Sequence, residues 1–93
     1  MQTQQVNTII DKVNWYFGVD IKNDKQYCVR ELIKAKKVAS VILRRKVNLK
    51  FHAMAYEFGY KKPQVANLIY KKANNDENIL REVDNIIKLL NEK

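Results

Sequence analysis

The chain has 93 residues, 46% of them hydrophobic and 30% charged, with a formal net charge of +8 and a pI near 9.7. That length suits one compact domain over 1–93, and the composition is that of a globular chain, not a disordered one. Two glycines and one proline are too few for the turns of a sandwich or barrel, so an all-α fold of about five helices is expected. No run approaches the roughly 18 apolar residues of a membrane helix. The opening MQTQQVNTII lacks the basic-then-apolar layout of a signal peptide, so a cytoplasmic protein with no membrane partner is expected. A single cysteine, Cys28, and a single histidine, His52, exclude an internal disulfide and a Cys/His metal cluster.

The first helix is expected over about 3–17. Val6, Ile9, Ile10, Val13 and Phe17 recur at helical spacing and form one apolar stripe. Gly18 follows where helices commonly end in a left-handed residue. Trp15 falls opposite that stripe. Burial under the following segment is the usual fate of a tryptophan, and exposure for a partner is the alternative.

Asp24 is a candidate cap for a long helix over about 25–46. Its apolar line is Cys28, Leu32, Ala35, Ala39 and Ile42, which places Cys28 in the core. The opposite side carries Arg30, Lys34, Lys37 and Arg44, a basic stripe about 20 Å long at 1.5 Å per residue. Three further helices are expected over 49–58, 63–73 and 78–91. The last has Ile79, Val83, Ile86 and Leu90 on one face, with Asp76 as its candidate cap.

Charge is distributed unevenly along the chain. Residues 25–72 hold thirteen basic side chains against Glu31 and Glu57, a net of +11, whereas 1–24 net −1 and 73–93 net −2. Charge serving solubility alone intersperses both signs. A basic middle flanked by slightly acidic ends implies a polyanionic partner.

The most specific segment is FHAMAYEFGYKKPQVANLIY, residues 51–70. Gly59 separates two short apolar helices, and Ala55 lies four residues before it, where a larger side chain would hold them apart. Val65 and Leu68, six and nine residues after the glycine, are expected to face the core. This pattern resembles the helix-turn-helix of bacterial DNA-binding proteins. It implies that 63–73 is a recognition helix whose outward side chains are Lys61, Lys62, Gln64, Ala66, Asn67, Tyr70 and Lys71. Glutamine and asparagine can bond adenine edges in pairs, and lysine serves guanine or phosphate. His52 has no acid or nucleophile beside it in sequence and is expected to be an exposed bystander.

Over almost its whole length the chain also resembles the C-terminal DNA-binding domain, domain IV, of the bacterial replication initiator DnaA. IIDKVNWYFGVDIKN is similar to that family's opening helix and turn, and VRELIKAKKVASVILRR to its long helix. In the latter, Lys36 and Lys37 stand where the family has an arginine–glutamine pair. LKFHAMAYEFGYKKPQVANLIYKK is similar to the helix-turn-helix, and ENILREVDNIIKLL to the closing helices. The resemblance implies a Trp-repressor-like helical fold, with Lys36 joining the DNA-contacting residues. The family signature after the glycine runs arginine, aspartate, histidine, threonine, threonine; here Lys61, Lys62, Pro63, Gln64 and Val65 occupy those places. The family's target box therefore does not carry over. Nor does ATP-driven assembly, since no nucleotide-binding glycine loop is present. A DnaA-like domain standing alone suggests a phage or mobile-element protein.

The leading expectation is a double-stranded-DNA-binding protein acting in replication or transcription control. The alternative is an interaction module that mimics a DnaA domain and binds a host or viral protein, with Trp15 as its anchor. No nucleophile–base pair or carboxylate pair is apparent, so neither enzymatic activity nor a cofactor is expected.

Overall fold

Five α-helices make up the regular structure of the computed structural model, which describes residues 2–22 and 29–91. They are α1 (Gln2–Phe17), α2 (Val29–Lys46), α3 (Phe51–Glu57), α4 (Pro63–Asn74) and α5 (Glu77–Asn91), with no strand among the described residues. The expected caps and core positions at Asp24 and Cys28 lie outside those residues.

In α1 the stripe Val6, Ile9, Ile10 and Val13 is buried. Gly18 ends the helix at φ +68°, a left-handed conformation that costs an ordinary L-residue about 1–2 kcal/mol. The Val19 amide then donates back to the Asn14 carbonyl at 3.0 Å. The Asn14 side-chain oxygen accepts from the Ile21 amide, also at 3.0 Å. One asparagine thus reverses the chain and delivers Val19 and Ile21 into the core. Those residues fall on the stripe side, so the segment does not cover Trp15, which remains 70% exposed. The expectation of a buried Trp15 is corrected on that ground.

The central element is α2, against which α1, α4 and α5 all pack. Every residue from Val38 to Leu43 is buried, including Val41, which lies on the same side as the basic stripe. Over this stretch α2 is buried on all faces, as a core helix is, whereas its first turns keep an exposed face at Arg30 and Ile33. Each fully buried valine, isoleucine or leucine contributes about 1.5–3 kcal/mol of transfer free energy. Ser40 fits this setting because its hydroxyl donates to the Lys37 carbonyl at 2.6 Å and so needs no outside partner.

Asn48, at φ +53°, turns the chain after α2; asparagine tolerates this region better than most residues. Helix α3 is shorter than the 49–58 expected. Lys50 is in extended conformation at its start, and Phe58 and Gly59 already belong to the turn. Asp76 caps α5 as expected, its carboxylate accepting from the amides of Asn78 at 3.0 Å and Ile79 at 3.4 Å. Ile79, Val83 and Ile86 then close the core. The Tyr16 hydroxyl reaches the Glu82 carboxylate at 3.4 Å, which ties α1 to α5. No helix among the described residues is long and apolar enough to cross a membrane.

Candidate nucleic-acid interface

The geometry of α4 is set by the turn before it. Gly59 has φ +81°; its amide donates to the Tyr56 carbonyl at 3.1 Å, and the Tyr60 amide to the Ala55 carbonyl at 2.8 Å. This pair of bonds is a Schellman motif, with Gly59 at the left-handed position. Lys62 is extended (φ −115°, ψ 130°), as the residue before a proline is bound to be. Pro63 occupies the first helical position, where its missing N–H costs no hydrogen bond.

The buried positions of α4 are Ala66 and Ala73, both 0% exposed. Successive residues advance about 100° around the helix. The face opposite the two alanines therefore centres on Gln64, Leu68 and Lys71, all exposed, with Asn67 half-buried on its shoulder. This corrects two expectations. Val65 is only partly buried and Leu68 is 54% exposed, so neither defines the core face, while Ala66 belongs to it. Small residues won because α4 packs against both α2 and α3, and alanine allows the closest approach of helix backbones.

Tyr70 is also not a free outward side chain. Its ring lies 5.7 Å from that of Phe51. The Arg44 guanidinium stands 4.7 Å from Phe51 and 5.9 Å from Tyr70, and its Nη1 donates to the Leu49 carbonyl at 2.9 Å. Arg44 therefore links the end of α2 to α3 and α4. Lys36, expected at the DNA surface, is 6% exposed. Its ammonium donates to the Tyr60 hydroxyl at 3.0 Å and sits 4.5 Å from that ring's centroid. Buried charge persists only where such contacts replace water.

The remaining cations do reach the surface. Arg30, Lys61, Lys62, Lys71 and Lys72 are exposed, and Lys34 and Lys37 are half-exposed. Lys34 lies 5.8 Å from the Phe17 ring at the end of α1. Lys37 and Lys72 line the same depression between α2 and α4, so the α2 cations and those of α4 form adjoining parts of one surface. The basic stripe is thus real over Arg30, Lys34 and Lys37, but Val41 and Arg44 break it before the end of α2. His52 is exposed, as expected.

Ile33, at 50% exposure, is a surface residue that sequence reasoning passed over, as is Tyr56 at 80%. For Ile33, its place between Arg30, Lys34 and Lys37 was the available signal. No family model, curated protein or solved structure matches this chain.

Proposed function

We propose that this protein binds double-stranded DNA sequence-selectively, with α3, the Gly59 turn and α4 acting as a helix-turn-helix and α4 entering the major groove. One observation carries the reading: the outer face of α4 presents Gln64, Asn67 and Lys71 on a helix held from behind by Ala66 and Ala73. Amide and ammonium side chains in that position match the donor and acceptor pattern of base edges. The surrounding Lys61, Lys62, Lys72 and Lys37 supply the phosphate contacts that position a protein without reading sequence. The sequence resemblance to the DnaA DNA-binding domain supports the same reading and a role in replication or transcription control. The changed signature at 61–65 assigns a different target site.

Selection of bound duplexes from a random pool tests it. Enrichment of a common motif, with affinity falling steeply as salt rises, is the expected result. A pool that stays random after repeated selection refutes sequence-selective binding.

A second reading rests on Trp15. A tryptophan that remains 70% exposed, beside the Lys12 ammonium at 5.1 Å from its ring, suits the anchor of a protein-binding face. Retention of a specific protein by the wild type but not by Trp15→Ala distinguishes that role.

A further inference from the structure

The DNA reading leaves an apolar furrow between α2 and α4 without a use. Its volume is about 280 Å³, and its lining includes Ile33, Val65, Leu68 and Ile69, with Lys37 and Lys72 at the edge. Ile33 and Leu68 are each about half exposed. At Ile33 and Lys37 the furrow runs into a second depression toward the start of α5, where Arg30 and Lys34 join the rim. Asp76, also on that rim, is engaged in capping α5.

Single exposed apolar residues are ordinary on protein surfaces. Here two large ones share one concave, continuous strip, the kind of surface that marks an interaction site. A duplex would satisfy the lysines but offers no apolar surface to Ile33, which lies on α2 and not on the helix assigned to the groove.

We propose that the furrow docks an acidic amphipathic helix from a protein partner. The apolar floor fits side chains at i, i+3 or i+4 and i+7 of such a helix. The stretch of α2 from Arg30 to Lys37 spans about 10 Å at 1.5 Å per residue, or two helical turns. Four cations on the rim, Arg30, Lys34, Lys37 and Lys72, select carboxylates on the flanks of that helix and repel a basic one. They also disfavour a second copy of this chain, whose net charge is +8. Lys37 and Lys72 serve either partner, whereas Ile33 is not needed by the DNA reading, so a variant at Ile33 lets either reading fail without the other.

The test is fluorescence anisotropy of the full chain with a labelled synthetic helix carrying leucines on one face and glutamates on both flanks. A peptide of the same composition in scrambled order is the control. The striped peptide is expected to bind more tightly than the scrambled one. Ile33→Ser and Leu68→Ser should each weaken it about tenfold, the equivalent of about 1.4 kcal/mol. Both positions are half exposed, and circular dichroism checks whether each variant keeps its helices; should one not fold, the other carries the test. Ile33→Ser should leave duplex binding unchanged. Equal affinity for striped and scrambled peptides overturns the proposal, as does striped-peptide binding that the folded serine variants retain in full.

Discussion

The ammonium of Lys36 donates to the hydroxyl of Tyr60 at 3.0 Å while lying 4.5 Å from the same ring. That contact joins the middle of α2 to the turn that launches α4, so a lysine expected at the DNA surface serves the fold instead. Hydrogen bonds to charged groups contribute about 1.5–3 kcal/mol, more than neutral ones. Tyr60→Phe removes the acceptor while keeping the ring, and is expected to cost about 1–2 kcal/mol of stability. Urea unfolding measures it. If the midpoint does not move, the contact is energetically idle.

Arg44 and Lys37 should separate in the same way. Arg44→Ala strips the guanidinium from the Phe51 and Tyr70 rings and from the Leu49 carbonyl. It should lower thermal stability and affect DNA affinity only through that loss. Lys37→Ala should leave the melting temperature nearly unchanged and weaken all duplexes alike. On the DNA reading it also reduces the log–log salt slope by about 0.9, one phosphate contact's worth. Paired melting curves and salt titrations of the two variants decide this, and an unchanged slope for Lys37→Ala removes that residue from the interface.

The Gly59 turn offers a graded test. At φ +81° any L-side chain is strained by about 1–2 kcal/mol, and a β-branched one more. Gly59→Val should therefore destabilise the fold more than Gly59→Asn, because asparagine visits this region more readily. Ala55→Leu, at a 2%-exposed position beside the turn, overpacks the core at a cost of about 1–3 kcal/mol. Calorimetric melting of the three variants gives the order, and a valine variant as stable as the asparagine one contradicts the strain argument.

On the DNA reading, the outer face of α4 would read the bases. Gln64→Ala and Asn67→Ala should each cost about 1–3 kcal/mol on the selected duplex and little on random DNA. Gln64 is the more exposed of the two, so its loss is expected to relax specificity at its base pair without touching stability. Asn67, half-buried, should show a small stability loss as well. Equal loss on selected and random duplexes would move either residue from reading to positioning.

Much of this molecule was legible in one dimension. The stripe of α1, the left-handed residue at Gly18, the Asp76 cap and the face of α5 all depend on contacts within about one turn of the chain. Helical periodicity and backbone sterics express them directly. The middle of the chain depends on its neighbours. Val41 is buried because α2 has helices on three sides, and no pattern along α2 announces how many will pack there. Lys36 and Arg44 look like their exposed neighbours in sequence. They turn inward because aromatic rings 24 and 7 positions later, Tyr60 and Phe51, stand where their charged ends can reach. The core face of α4 was misread for a related reason: Val65 and Leu68 carry more apolar surface, but α4 approaches α2 and α3 through Ala66 and Ala73. Periodicity reports how hydrophobic a face is, whereas tertiary packing also weighs how close its backbone can come, and at α4 closeness decided.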